Sequence, residues 1–130
     1  AEGRPNFCHL GTANGESCSA GTQSRIESVL AAQQDYDFVA NGRFKGGYIT
    51  RHYGRPENGV DAVQLEISQR CYMDEDAARW DDAKAARLQP VIAAMIEAAT
   101  ALATSIQGTH STLSAAMADL DGPGVGLLEA

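Results

Sequence analysis

Val60-Asp61-Ala62-Val63-Gln64-Leu65-Glu66-Ile67 is the clearest strand signature in the chain. Val63, Leu65 and Ile67 alternate with Ala62, Gln64 and Glu66, and side chains two apart on a strand share a face. One face therefore looks to a core, and the other is polar and carries a carboxylate at position 66. Such a strand needs neighbours. Tyr48 to Tyr53 is rich in β-formers and reads as a second extended run, opened by Gly46-Gly47 and stopped by Gly54 and Pro56. Glu57-Asn58-Gly59 then supplies a turn. Asp37-Phe38-Val39-Ala40 reads as a third strand, ended by Asn41-Gly42. Before it, Thr22 can cap a helix from about Gln23 to Gln34 with an apolar stripe of Ile26, Val29 and Leu30. Residues 1–21 are dense in turn formers and read as loop, with a short extended piece near Phe7 to Leu10.

Downstream, Asp74 caps a short helical turn through Ala77, Ala78 and Trp80, with Trp80 in the core. A long helix follows from about Asp81 to Ser105. Its stripe of Leu88, Val91, Ile92, Met95, Ile96, Ala99, Leu102 and Ile106 recurs every three or four residues. Pro90 lies inside this run and marks a kink or the first turn of a new helix. A short helix over Ser111 to Leu120 and a frayed end complete the reading. The class is α/β. A helix of about 24 residues is about 36 Å long, more than three short strands can cover. Either the chain dimerises, or strands of the same sheet lie on other sequence.

The 130 residues carry 10 basic and 17 acidic side chains, a net charge of −7. The acidic total argues against nucleic acid as the main partner. The longest near-apolar stretch, Val91 to Ala103, is interrupted by Glu97 and Thr100 and is too short to span a bilayer. No basic-apolar-small leader opens the chain, which points to the cytoplasm. The cysteines Cys8, Cys18 and Cys71 form no CxxC pair and no disulfide framework. Cys8-His9 with Cys18 fits no common zinc finger, and a fourth ligand would have to come from His52, Cys71 or His110. Cys8 and Cys71 read as small core residues, with Cys18 near a loop.

The charge is unevenly placed. Residues 57–130 hold four basic and 12 acidic side chains. Asn41 to Pro56, by contrast, holds Arg43, Lys45, Arg51, His52 and Arg55 and no acid, interleaved with Gly42, Gly46, Gly47 and Gly54. Glycines allow close backbone approach, and guanidinium groups grip carboxylates at two points. This segment reads as a pocket for a small carboxylate-bearing anion or as a solvated strand edge protected by its charges; a nucleic-acid patch is a third reading, which the acidic remainder of the chain disfavours. Glu66 likewise reads as a general base or as a solvent-facing strand residue.

The run Asn41-Gly42-Arg43-Phe44-Lys45-Gly46-Gly47-Tyr48-Ile49-Thr50-Arg51-His52-Tyr53-Gly54-Arg55-Pro56 resembles the C-terminal part of the N-formylglutamate amidohydrolases. The likeness continues through Gly59 to Glu66 and Gln69 to Glu75. Leu10-Gly11-Thr12 and Gly15-Glu16-Ser17-Cys18 resemble the loop just upstream. The resemblance implies a mixed sheet between helices, of the zinc carboxypeptidase-like (phosphorylase/hydrolase-like) kind. It implies hydrolysis of N-formyl-L-glutamate to L-glutamate and formate, a step of histidine degradation, by zinc-activated water. Glu66 matches the family's catalytic base. Arg51 is the first candidate for a substrate carboxylate, followed by Arg43 and Arg55, with Tyr53 as a hydrogen-bond donor. None of the family's zinc ligands falls on this sequence, so zinc is expected on a missing N-terminal half.

On this reading residues 1–106 are the C-terminal half of the catalytic domain and 107–130 a tail. The expected partners are a small anionic N-acyl amino acid and the missing half, with neither nucleic acid nor membrane. Two alternatives stand beside it: a deacylase for another N-acyl acidic amino acid, and a non-catalytic fragment acting as a binding or assembly partner.

Overall fold

A computed structural model describes residues 7–120, with side chains placed through residue 101. Two compact units divide between Ala99 and Thr100. The first holds a three-stranded mixed sheet of β1 (Phe7–Gly11), β2 (Asp37–Ala40) and β3 (Gln64–Ile67), in the order β2-β1-β3. β1 runs parallel to β2, and α1 (Ala20–Ala31) lies between them in sequence. It runs antiparallel to β3, with His9 opposite Glu66 and Gly11 opposite Gln64. The short extended piece and the Asp37–Ala40 strand are therefore both present. The extended piece is the central strand, because it alone is paired on both sides.

One face of the sheet makes the core. Cys8 and Leu10 are buried and belong to one cluster with Ile26 and Leu30 of α1 and with Leu88 and Met95 further on. Phe38, Ala40, Leu65 and Ile67 pack against that cluster. The alternation read for β3 holds, but the strand begins at Gln64. Val63 still packs on the core, whereas Val60 is exposed and pairs only with Arg55 in an isolated bridge. α1 starts three residues earlier than its sequence reading. Ser19 is its N-cap and accepts from the Thr22 amide, while Thr22 itself is buried.

The largest correction concerns Tyr48 to Tyr53. These residues form helix α2 (Tyr48–Tyr53), not a strand. Gly46, at φ +113°, turns the chain into it, and the Thr50 hydroxyl donates to the Gly47 carbonyl at 2.8 Å. Only Thr50 of the six is buried. β-propensity reports fit to a half-buried pleated surface, and among the described residues no strand pairs with this segment, so local bonding at a glycine turn decides its conformation. A second correction follows β3. Met73–Asp74 (β4) and Arg79–Trp80 (β5) form a hairpin where a helical turn was expected. Asp74 does cap the bend, accepting from the Ala77 amide at 3.2 Å, but Ala78 at φ +48° reverses the chain instead of winding it. Trp80 is 57 % exposed, against its expected place in the core. Its indole N–H is satisfied by Asp82 at 3.0 Å.

The long helix α3 (Asp82–Leu120) contains Pro90 and runs through the position where two helices were expected. Leu88 and Met95 are buried and Val91, Ile92 and Ala99 pack beside them, but Ile96 of the same predicted stripe is 58 % exposed. The expected tail over 107–130 falls on residues whose side chains are not described, and 121–130 lie outside the described residues. Among the described residues no helix is long and apolar enough to cross a membrane.

Asp61 ties the approach to β3 onto the start of α1. Its carboxylate accepts from the Ser19 amide at 2.8 Å and the Ser19 hydroxyl at 2.7 Å. Burial opposes its charge, yet the hydrogen bonds from Thr22 and Ser19 prevail and hold its pKa below the ordinary 3.8. A depressed carboxyl stabilises the fold above its unfolded pKa and ceases to do so as pH falls through the lower folded value. Asp61→Asn is therefore expected to lower Tm by about 2–5 °C at neutral pH, the modest size reflecting solvent screening. The gap should narrow in melts as the pH falls below 3.8 and through the lower folded value, where the Asp61 carboxyl becomes uncharged like the Asn amide.

Candidate functional site

The sheet face opposite the core is crossed by the Gly42–Gly47 loop. Asn41, at φ +51°, begins the crossing. Its carboxamide oxygen accepts from the Thr12 amide at 2.9 Å and the Asn14 amide at 3.1 Å, and its Nδ2 donates to Thr12 Oγ1 at 2.8 Å. The loop then lies directly on the end of β1. A Cβ on Gly11 would sit 2.6 Å from the Gly46 nitrogen and 2.7 Å from the Lys45 carbonyl carbon. The Ala13 amide donates to the Lys45 carbonyl at 2.6 Å, closing the contact.

This placement brings four of the predicted site residues to two regions, Glu66 and Arg43 to the open sheet face and Arg51 and Arg55 to a cleft. On the open sheet face, Glu66 is the register partner of His9. The His9 ring lies 4.7 Å from Phe7 and 5.0 Å, edge-on, from Phe44. The Arg43 guanidinium stands 5.6 Å over the Phe44 ring. His9 Nδ1 is buried and has no hydrogen-bond partner among the described residues. Gln64, two residues before Glu66 on the same face, donates from Nε2 to Glu66 Oε1 at 2.5 Å. The Gln64 amide oxygen accepts from the Gly47 amide, also at 2.5 Å. The same glutamine thus touches the candidate base and the first residue before α2.

Arg51 and Arg55 meet elsewhere, on the rim of a cleft of about 290 Å³ also lined by Glu16, Ser17 and Glu57. Arg51 Nη1 donates to the Gly46 carbonyl at 2.7 Å, which fixes the side chain back along its own helix. Arg55 Nη1 donates to the carbonyls of Arg51 at 3.1 Å and Gly54 at 2.5 Å. Gly54 is buried against Ser17, whose backbone leaves no room for a Cβ there. Two carboxylates share the rim with the two guanidiniums, so the cleft is not a purely cationic pocket. Tyr53 is 59 % exposed and packs edge-on against His52, which in turn stacks on Tyr48. The structure therefore pairs Arg51 with Arg55, puts Arg43 beside His9 on the sheet face, and leaves Tyr53 on the outer surface of α2.

Three contributors escaped sequence reading: Gln64, His9 and Asn41. His9 drew notice only as a neighbour of Cys8. The alternation that places Glu66 on the open face places Gln64 there as well, so that signal was available; the pairing with His9 depends on a long-range register. The cysteines take no part. All three thiols are free and buried, and burial pushes Cys8 and Cys18 up to about 11. Among the described residues no group of three or more His, Cys, Asp and Glu side chains could hold a metal ion. The described residues thus do not fit a zinc site of their own.

A family model described as N-formylglutamate amidohydrolase matches residues 1–73, more than half of the chain and a span that includes the Asn41–Pro56 run and Glu66. The chain belongs to the N-formylglutamate amidohydrolase family. Among curated relatives, an N-formylglutamate deformylase of Pseudomonas aeruginosa is 55 % identical over 86 residues, covering 64 % of this chain and 32 % of the relative. An N-formylglutamate deformylase of Pseudomonas putida is 52 % identical over 71 residues, covering 55 % of this chain and 26 % of the relative. The chain spans about a third or less of the length of these family members. The crystal structure of N-formylglutamate amidohydrolase from Ralstonia eutropha JMP134 superposes with a TM-score of 0.66 at 21 % identity, over 81 % of this chain and 37 % of that one. The small mixed sheet with helices packed on it is thus a fold shared with that structure.

The Gly11–Gly46 approach is the contact that seats the loop. Gly11→Ala is expected to cost about 1–3 kcal/mol in urea unfolding, as other overpacked sites do. Exchange of the Gly47 amide proton should accelerate in that variant, since the loop must lift and release its bond to Gln64.

Proposed function

We propose that this chain is the base-bearing and substrate-binding part of a hydrolase that cleaves N-formyl-L-glutamate to L-glutamate and formate. The observation that carries the reading is the placement of Glu66 on the open sheet face, its carboxylate held by a side chain that also grips the arginine-bearing segment. Family membership and two relatives named for this deformylation support the substrate.

In this mechanism Glu66 accepts a proton from the water that attacks the formyl carbonyl and delivers it to the departing amine, the two tasks of one positioned carboxylate. A formyl group is small, so most of the binding must come from the glutamate portion, which carries two carboxylates. Arg51 and Arg55 are assigned to a carboxylate at their shared cleft, and Arg43 to the sheet-face side beside Phe44. Guanidinium groups suit this work because they present paired donors in a fixed plane. Tyr53 is the weakest of the candidates, since it points along the outer surface of α2. Zinc, when bound, would supply Lewis-acid activation of the water. Its ligands are assigned to sequence outside these 130 residues, in keeping with the length of the relatives and with a zinc carboxypeptidase-like whole. On this reading the chain alone neither binds zinc tightly nor turns over substrate.

The test is formate release from N-formyl-L-glutamate by the complete enzyme that carries this chain. Glu66→Gln keeps the shape of the side chain and removes its basicity, and kcat should fall by about 10²–10⁴-fold with little change in KM. A variant that retains the full rate would remove Glu66 from the mechanism.

A further inference from the structure

We propose that Gln64 is the positioning residue for Glu66, and that it makes the base and the arginine-bearing helix α2 a single mechanical unit. The inference rests on the reading of Glu66 as the base. Gln64 is the register partner of Gly11, at the point where the loop meets the sheet. Its carboxamide is used at both ends. The oxygen accepts from the Gly47 amide and the nitrogen donates to Glu66, each at 2.5 Å.

The chemistry of the two partners fixes the orientation of the amide. A backbone N–H can only donate and an ionised carboxylate can only accept, so the group that joins them must offer one acceptor and one donor. A flipped amide would face its NH₂ toward the N–H and its oxygen toward the carboxylate, and would lose both bonds. Gly47 lacks a Cβ, which would lie 3.2 Å from the Gln64 oxygen, so the approach is close. Gly47 also leads straight into α2, whose Arg51 bonds back to the Gly46 carbonyl. A shift of α2 is thereby transmitted through Gly47 and Gln64 to the base, and a loose Gln64 leaves Glu66 free to swing on an exposed edge. A misplacement of about 1 Å at a reacting group can cost about 10²-fold in rate.

The experiment is a double-variant cycle in the complete enzyme, read as kcat and KM for N-formyl-L-glutamate. Gln64→Met keeps the length of the side chain and removes both bonds. Gln64→Glu keeps an acceptor for Gly47 and removes the donor to Glu66, and it guards against a Met variant that fails to fold. Each should lower kcat by about 10- to 100-fold, with a smaller change in KM. Glu66→Gln combined with Gln64→Met should be no slower than Glu66→Gln alone, because a residue that acts through the base has nothing to add once the base is gone. Three results would overturn the proposal. If both Gln64 variants stay within threefold of the parent while Glu66→Gln is crippled, the base stands and Gln64 does not position it. If the losses at Gln64 and Glu66 multiply, Gln64 acts independently. If Glu66→Gln is fully active, the base reading falls and the positioning role falls with it.

Discussion

The close approach of two backbones, at Gly11 and Gly46, is the constraint on which the rest of the molecule depends. β1 ends in a residue without a side chain, and the loop after β2 comes down on that bare spot. Any other residue at position 11 would hold the loop away from the sheet. With the loop seated, Phe44 covers His9, Lys45 closes onto Ala13, and Gly47 reaches Gln64. Glu66 is placed by the β1–β3 register, while Phe44 and the start of α2 are placed by the seated loop.

Much of this architecture was legible in the residues. The alternation of Val63 to Ile67 correctly separated a core face from a polar face, and it put Glu66 on the polar side. The spacing of Ile26, Val29 and Leu30 marked α1, and Asn41-Gly42 marked the end of β2, because in each case the local pattern and the tertiary demand agree. Tyr48 to Tyr53 failed for a physical reason. Its aromatic and β-branched residues favour a pleated surface only when a neighbouring strand is present to supply one, and at this point the chain has just left the sheet over two glycines. Trp80 failed similarly: size suggested burial, but a hairpin carries it outward and its N–H finds Asp82. The basic cluster was visible as composition, yet its division into an Arg51–Arg55 cleft and a separate Arg43–Phe44–His9 stack depends on the helix that the pattern did not disclose.

The open face gathers Glu66 and Arg43 of the charged side chains singled out in the sequence. The described residues combine a carboxylate bonded by Gln64, two phenylalanine rings against His9 and three arginines, but no group of three or more metal-ligating side chains. The core side of the same sheet is closed by α1 and the first part of α3. The two faces therefore differ: one is packed by α1 and α3, and the other carries the Gly42–Gly47 loop with Gln64 and Glu66.

The order of the strands has a consequence for how the molecule is made. β1, α1 and β2 precede the loop, α2 and β3 along the chain, so β1 can pair with β2 before β3 is made. The loop and α2 come next, but Gly47 has no acceptor until Gln64 has been synthesised, and β3 must then return across the far side of β1. Glu66 is consequently on the last of the three described strands of this sheet to be made. A nascent chain thus carries Arg43, Arg51 and Arg55 before it carries Glu66, and the bonds of Gln64 to Gly47 and Glu66 form only once β3 has been made.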